Sequence, residues 1–243
     1  MNNVAIIPAR GGSVRVPRKN IKSLYGKPLI FFTIKSALSS SVFKDVYVST
    51  EDSEIADIAI MMGAKVIRRP VELAEDVESE LVIKHAIEEI EKEYLVDTVT
   101  MLQPTSPFRS VNTIRKCVGE LIKNWDDFES VITVNDIEGD RPEWMCYIDH
   151  HNDVIPYTNT WKDSAGSSYI KLVARQELPK LYKQNGCVYT FKKSLIMDFG
   201  MIISPFCKAI IIDEEEAFDI DTNLDFMIAE KIMEKRAWNN ILT

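Results

Sequence analysis

Short apolar strand patterns alternate with amphipathic helix patterns along most of this chain. Residues 4–7 are apolar and largely β-branched, which is typical of a strand buried on both faces. A helical spacing follows at 28–40, and strand and helix alternate again at 45–50 and 53–63. Because parallel strands need a crossover connection, the alternation predicts an α/β fold with an open, mainly parallel sheet and helices on both faces, a Rossmann-like architecture.

The same alternation continues further along the chain. Gly63 is expected to close the helix at 53–63, and Ser79 is expected to be the N-cap of the helix that starts there. Further strands are predicted at 64–69, 97–103, 130–136, 186–191 and 208–213, and further helices at 79–94, 111–124 and 223–238.

The alternation of strand and helix patterns is interrupted at about 140–182. This stretch is richer in proline, aspartate, asparagine and aromatic residues and has no clean helical period. Within it, "DHHND" at 149–153 separates two short apolar runs, so it is expected to be a polar hairpin tip rather than a metal site. We therefore expect one domain over 1–243 in which 140–182 is an irregular insertion with short strands.

Charge and composition exclude several classes of partner. The formal net charge is −8, whereas nucleic-acid-binding surfaces are usually basic, so no nucleic-acid partner is expected. No apolar run approaches the roughly 20 residues of a membrane span, so no membrane partner is expected either. The first residues lack the pattern of a secretory signal, and the four cysteines form no CxxC pair. These features predict a cytoplasmic protein with reduced thiols.

The first strand leads into a loop, "IIPARGGSVRVPRKN" at 6–20, that concentrates positive charge in an acidic protein. Ligands of open parallel sheets bind beyond the carboxyl ends of the strands, where this loop lies. Gly11 and Gly12 would allow backbone amides to approach a phosphate closely, and the loop's basic residues would neutralise its charge. The alternative is an ordinary solvated turn, and the loop matches neither the P-loop nor the dinucleotide fingerprint. Its basic residues are Arg10, Arg15, Arg18 and Lys19.

Six blocks in order along the chain carry a resemblance to a known family. "IIPARGGSVRVPRKNIKSLYGKPLI" resembles the opening of the acylneuraminate cytidylyltransferases, also called CMP-sialate synthetases. The other blocks are "VSTEDSEIADIA", "RRPVELAED", "LQPTSPFRS", "NGCVYTF" and "FDIDTNLDF". Since they span nearly the whole chain, the resemblance is far more specific than the glycine loop alone.

The resemblance implies a transfer of CMP from CTP to an acidic keto-sugar, with Mg²⁺ as cofactor. It also implies that the chain is a homodimer, in which an insertion equivalent to 140–182 forms the dimer contact and helps to bind the acceptor. The implied catalytic residues are Arg10, Lys19 and Asp219. The implied CTP-binding residues are Arg10, Gly11, Gly12, Ser13, Lys19, Asn20, Arg69 and Ser79. The implied sugar-binding residues are Gln103, Arg175, Gln176, Asn185 and Tyr189, and the implied magnesium ligands are Asp219 and Asp221.

The chemistry of this transfer suits these residue types. Both substrates are anionic, so positioning and charge neutralisation supply most of the catalysis. Asp219 and Asp221 alternate along an extended segment, so both carboxylates would point to one face and could hold Mg²⁺. Two of these blocks also have a plainer interpretation: Asp221 or Thr222 could cap the last helix, and the turn that follows Gln103 could cap the helix at 111–124.

The sequence departs from the family pattern at Val14, where the family usually has lysine. Arg15 or Arg18 could supply the missing charge, or the enzyme could be weakened or reduced to nucleotide binding. The favoured acceptor is a nine-carbon acid of the sialic, legionaminic or pseudaminic type, and the alternative is the eight-carbon acid of lipopolysaccharide.

Overall fold

A computed structural model describes residues 1–75, 77–137, 139 and 141–242, apart from the side chains of Arg175 and of residues 237–242. The chain divides into two compact units. One unit comprises Met1–Val134 with Gln184–Thr243, and the other comprises Asn135–Lys183.

The larger unit is built on a seven-stranded sheet with helices on both faces. Along the described chain the strands are β1 (Asn3–Pro8), β2 (Ser23–Leu24), β3 (Lys27–Pro28), β4 (Asp45–Thr50), β5 (Lys65–Arg68), β6 (Thr98–Met101), β7 (Ser130–Asp136), β8 (Cys146–Ile148), β9 (Val154–Pro156), β10 (Tyr182–Lys192) and β11 (Cys207–Ile211). The seven-stranded sheet excludes β2 and β3, which pair with each other, and β8 and β9, which belong to the smaller unit. The helices are α1 (Leu29–Ser40), α2 (Ser53–Met61), α3 (Ser79–Ile90), α4 (Val111–Lys123), α5 (Lys193–Phe199) and α6 (Asn223–Leu242).

The strand order in the sheet is β11-β7-β10-β6-β1-β4-β5. β1 pairs in parallel with both β4 and β6, β4 pairs in parallel with β5, and β7 with β11. β10 is antiparallel to β6. The predicted open, mainly parallel sheet is therefore confirmed, and the carboxyl ends of β1, β4, β5 and β6 lie along one edge.

Alternate side chains of β1 enter two separate apolar clusters. Ala5 and Ile7 pack with residues of α1, α2 and α4, whereas Val4 and Ile6 pack with residues of α3 and α5. All four side chains are fully buried. This burial on both faces explains why β1 is a continuous apolar run, as in other central parallel strands.

Several predicted boundaries were wrong in detail. Ser79 is the first residue of α3 rather than its N-cap; Glu78 occupies the N-cap and makes no side-chain capping bond. α3 ends at Ile90 instead of continuing to 94, and α5 was not predicted because seven residues are too few for a clear helical period. Gly63 does follow the end of α2, with a φ of 88° that favours glycine.

The smaller unit, described by itself, contains the antiparallel hairpin of β8 and β9. The carboxylate of Asp149 accepts bonds from the backbone amides of His151 and Asp153, at 2.8 and 2.9 Å, so the predicted hairpin tip is confirmed. A buried ion pair lies elsewhere in this unit, where Arg141 Nη2 is 3.1 Å from Glu143 Oε1. No helix in the described part of the chain is long and apolar enough to cross a membrane.

Candidate active site

A cavity of about 530 Å³ opens at the sheet edge where β1, β5 and β6 end. Its lining includes the loop after β1, Arg69 after β5, and Gln103 to Thr105 after β6. Ligands of open α/β sheets bind at this position. Of the predicted site residues, Arg10, Ser13, Lys19, Asn20, Arg69, Ser79, Gln103 and Asp221 line the cavity.

The loop after β1 is held by its own side chains and by its neighbours. The buried Asn20 donates from Nδ2 to the carbonyl of Arg10 at 2.8 Å, so one predicted CTP-binding residue fixes the backbone of another. Arg18 adopts a left-handed conformation with a φ of 55°, and it directly precedes the short 3-10 helix Lys19–Ile21. This geometry places Lys19 in the cavity.

Glu51 was not predicted as a functional residue, yet it contacts the glycine loop. The backbone amide of Gly11 donates to Glu51 Oε1 at 2.6 Å, and Glu51 Oε2 is buried without a hydrogen-bond partner among the described residues. Burial lowers the pKa of Arg69, while the charge of Glu51 opposes that shift. The sequence could have indicated Glu51, because it directly follows β4, a strand that ends at the same edge of the sheet as β1.

Arg18 is directed to the start of α2 rather than into the cavity. It contacts the carboxylate of Asp52 and lies 2.6 Å from Glu54 Oε2. Asp52 in turn caps α2 by accepting from the backbone amides of Glu54 and Ile55, both at 3.0 Å. Burial opposes ionisation of Asp52, but the Ile55 amide and Arg18 outweigh it, so its pKa is lowered.

The loop after β1 and the acidic segment before α6 meet at the cavity. Lys19 Nζ donates to Asp221 Oδ1 and to the carbonyl of Ile220, both at 3.0 Å, across about two hundred residues of sequence. Arg15 Nη1 lies 3.7 Å from Asp221 Oδ2. The basic loop and the acidic segment therefore share one site.

The cap of α6 does not use the side chain of Asp221. Thr222 Oγ1 accepts from the amide of Asp225 at 3.2 Å. Asp225 Oδ2 accepts from the amides of Asp221 and Thr222, at 2.9 and 2.7 Å. This reciprocal cap decides between the two sequence interpretations: Thr222 caps the helix, and the carboxylate of Asp221 is directed to the basic loop.

Asp219 lies deeper than Asp221 and has chemistry suited to a cation. Burial raises its pKa, and the nearby charge of Asp221 adds to the shift, while a hydrogen bond with Thr105 opposes it. Asp219 Oδ1 is buried and has no hydrogen-bond partner in the described structure. An unpaired carboxylate oxygen beside a second carboxylate fits a hard divalent cation.

No group of three or more acidic, histidine or cysteine side chains in the described residues could hold a metal ion by itself. A magnesium ion at Asp219 and Asp221 would therefore take its remaining ligands from phosphate oxygens and water, as Mg²⁺ commonly does.

The predicted sugar-binding residues of the larger unit lie near the end of β6. Gly186, with a φ of 75°, is so close to Gln103 that an added Cβ would lie 3.0 Å from Gln103 Oε1. Thr133 Oγ1 donates to Asn185 Oδ1 at 2.7 Å, and Gln184 Nε2 donates to the Tyr189 hydroxyl at 2.6 Å. These bonds orient the side chains of Asn185 and Tyr189, which are not among the residues that line the cavity.

Two predicted sugar-binding residues, Arg175 and Gln176, belong to the smaller unit. The side chain of Arg175 lies outside the described part of the chain, and Gln176 is exposed. Their role in acceptor binding stays a prediction.

A cationic glycine loop that meets a carboxylate at the carboxyl-end edge of a parallel sheet is typical of nucleotide-binding sites in α/β enzymes. A family model described as "Cytidylyltransferase" matches residues 4–238. The chain therefore belongs to the cytidylyltransferase family and is a nucleotidyltransferase.

Relatives whose names state an activity resemble nearly the whole chain. The CMP-N,N'-diacetyllegionaminic acid synthase of Legionella pneumophila is 35% identical over 238 residues, which cover 96% of this chain and 97% of that protein. The N-acylneuraminate cytidylyltransferase of Escherichia coli is 31% identical over 235 residues, or 96% of this chain and 52% of that protein. The resemblance to the acylneuraminate cytidylyltransferases is thus confirmed.

A solved structure has the same fold. The structure of CMP:2-keto-3-deoxy-manno-octonic acid synthetase complexed with CTP superposes with a TM-score of 0.68 at 17% identity. The match covers 97% of this chain and 100% of that one.

Proposed function

We propose that this protein transfers CMP from CTP to the anomeric hydroxyl of a nine-carbon acidic keto-sugar. The hydroxyl oxygen bonds to the α-phosphorus, the bond from that phosphorus to the oxygen that bridges to the β-phosphate breaks, and pyrophosphate leaves. The hydroxyl proton passes to the surrounding water. The single observation that carries the proposal is the contact of Lys19 with Asp221, which brings cations for a triphosphate and carboxylates for its counter-ion into one cavity.

The residues around the cavity divide into two groups by chemistry. Arg10 and Lys19, with Ser13 and the amides of the glycine loop, would bind the triphosphate. Asp219 and Asp221 would hold Mg²⁺, which polarises the α-phosphate when it is bound. Since Lys19 already contacts Asp221, the lysine can neutralise charge on both the phosphate and the carboxylate.

The proposed acceptor is supported by the names of the relatives, which act on legionaminic and N-acylneuraminic acids. On the protein side, Gln103 can both donate and accept hydrogen bonds, which suits sugar hydroxyls and amides. The cytoplasmic location expected from the sequence stays a prediction.

The test of the proposed function is pyrophosphate release from CTP and Mg²⁺ with a panel of acidic keto-sugars. The panel comprises sialic, legionaminic, pseudaminic and eight-carbon acids, and a reaction without sugar is the control. Release that depends on a nine-carbon acid supports the proposal. Release only with the eight-carbon acid would favour the alternative acceptor, and no sugar-dependent release at high enzyme concentration would contradict both.

Val14 raises the question of which cation replaces the usual lysine. Its side chain is 84% exposed, Arg18 is engaged by Asp52 and Glu54, and Arg15 lies in the cavity beside Asp221. We therefore expect Arg15 to supply the charge. Arg15→Met should weaken CTP affinity about fivefold, because an exposed charge contact is worth about 1 kcal/mol.

Val14→Lys should raise CTP affinity or turnover by a smaller factor, and it should restore affinity in the Arg15→Met background. Arg18→Met is the matched control, since it removes a cation that is directed away from the cavity. The measurement is the KM for CTP at low salt and at high salt. Equal losses from Arg15→Met and Arg18→Met would contradict the assignment.

We also propose that the protein is a homodimer that uses the β8–β9 hairpin. Tyr147, Ile148, Val154 and Ile155 are each between 48% and 59% exposed. A two-stranded hairpin with apolar side chains exposed is marginally stable alone, and such patches mark interfaces. The resemblance to a family in which an equivalent insertion forms the dimer indicates a second copy of this chain as the partner.

Light scattering is expected to give the dimer mass at micromolar concentration, and Ile148→Glu is expected to shift the population toward monomer. Val71→Glu is the matched control, because Val71 is 73% exposed and lies outside the smaller unit. A monomer for the unmodified protein would refute the proposal.

A further inference from the structure

Arg109 takes the place of strand pairing at the point where β6 and β10 separate. The antiparallel register of these strands pairs Tyr189 with Met101, and its continuation would place Cys187 opposite Gln103. Instead, Arg109 Nε donates to the carbonyl of Cys187 at 2.6 Å, and its Nη2 donates to the carbonyl of Gln103 at 2.7 Å. One guanidinium therefore bridges the two backbones.

A third bond ties this bridge to α1. Arg109 Nη1 donates to Thr33 Oγ1 at 3.1 Å, and that hydroxyl donates to the same Gln103 carbonyl at 3.3 Å. The planar guanidinium presents its donors at fixed angles, so it holds the three groups in one geometry. A lysine ammonium has no such planar set of donors.

Arg109 is only 4% exposed, and a buried charge is costly without compensation. Burial lowers its pKa, while the side chain of Cys187 and the charges of Glu216 and Asp219 oppose that shift. An apolar side chain of similar length would avoid the desolvation cost, so the burial of a cation here calls for a structural reason.

The two bridged backbones carry groups proposed to face the acceptor. Gln103 lines the cavity, and Gly186, beside Cys187, lies so close to it that an added Cβ would be 3.0 Å from Gln103 Oε1. Asn185 Oδ1 accepts from the Cys187 amide at 3.1 Å, so the position of Cys187 also sets that of Asn185. The width of the gap between Gln103 and Cys187 thus determines how these side chains are spaced.

We propose that Arg109 is a positioning residue for the acceptor sugar, because it holds Gln103, just after β6, at a fixed distance from Cys187 of β10. The proposal rests on the proposed function, since it assigns the Gln103 side of the cavity to the acceptor. Arg109 itself touches neither substrate.

The experiment compares Arg109→Lys with Arg69→Lys. Arg69 is also buried, at 7% exposed, and it donates to the carbonyl of Ser49 at 2.8 Å among the predicted CTP-binding residues. Both variants therefore replace a buried guanidinium with an ammonium and keep the positive charge. Arg109→Lys is expected to raise the KM for the acceptor at least about tenfold and to change the KM for CTP less than about twofold, since small displacements of positioning groups are costly. Arg69→Lys is expected to raise the KM for CTP and to change the KM for the acceptor little.

A second readout does not depend on the reaction. In Arg109→Lys, backbone amides at 185–187 should exchange with solvent faster than in the unmodified protein, while those at 9–13 should not change. If Arg109→Lys does not fold, Thr33→Val removes both bonds of that hydroxyl, to Arg109 and to Gln103, with little change in shape. Like Arg109→Lys, it should raise the acceptor KM, here by about threefold.

Equal changes in both KM values, or a lower melting temperature with an unchanged acceptor KM, would overturn the proposal. Unchanged amide exchange at 185–187 would overturn it as well. A wild-type protein that releases no pyrophosphate with any sugar would instead mean that the proposed function has failed, and the exchange measurement would still test the bridge.

Discussion

Asp219→Asn is expected to lower kcat/KM at least about a hundredfold and, at the same time, to raise the melting temperature of the metal-free protein. The loss of activity follows from the loss of one of two carboxylates proposed to hold Mg²⁺, whose catalytic contribution is several kcal/mol. The gain in stability follows from burial, which raises the pKa of Asp219 and so disfavours its charged form in the folded state.

The direction of the pH dependence follows from this shift. Because the folded-state pKa lies above the unfolded one, the folded state binds more protons between the two values, and stability falls as the pH rises through that interval. Asparagine does not ionise, so the variant should be the more stable protein at neutral pH. The difference should disappear below the usual aspartate pKa of about 4.

The measurement is thermal unfolding with a chelator across this pH range, together with kinetics in Mg²⁺. Asp225→Asn is the matched comparison: burial opposes its ionisation too, but bonds from the amides of Asp221 and Thr222 outweigh burial and lower its pKa. That variant should therefore lose stability at neutral pH. An Asp219→Asn protein that is less stable at neutral pH, or fully active, would refute the assignment.

Gly11→Ala is expected to raise the KM for CTP by about tenfold to a hundredfold. A Cβ on Gly11 would lie 2.5 Å from Asp52 Oδ2, which is closer than nonbonded atoms can approach. Asp52 cannot move away without cost, because it caps α2 and binds Arg18. The glycine loop must therefore shift, and a displacement of phosphate-binding amides by about 1 Å is enough for a loss of this size.

A second substitution tests the cause of that loss. Asp52→Ser keeps an N-capping oxygen and removes the atom at 2.5 Å, but it leaves tight contacts at 3.1 Å, so Gly11→Ala with Asp52→Ser should recover part of the CTP affinity. Gly119→Ala is the control: it lies in α4, its added Cβ meets no atom within 4 Å, and alanine should stabilise the helix by about 1 kcal/mol without affecting kinetics. An undiminished Gly11→Ala enzyme, or no recovery in the double variant, would contradict the steric explanation.

Much of the architecture could be predicted because it depends on local patterns. The burial of β1 on both faces, the helical spacing of α1 and the hairpin tip at Asp149 all follow from side chains within a few residues of each other. The ordered blocks likewise identified the family before any geometry was known. Short elements such as α5 were not predicted, because seven residues are too few to show a helical period.

By itself, the sequence determined the order of strands and helices along the chain, the cationic loop and the acidic segment, because each is a local run of residue types. Only the tertiary structure decided which residues meet: Lys19 with Asp221, Gly11 with Glu51, and Arg109 with the backbones of Gln103 and Cys187. The physical reason is that such contacts join residues far apart in the chain, so they depend on sheet order and register. A local pattern contains no information about either.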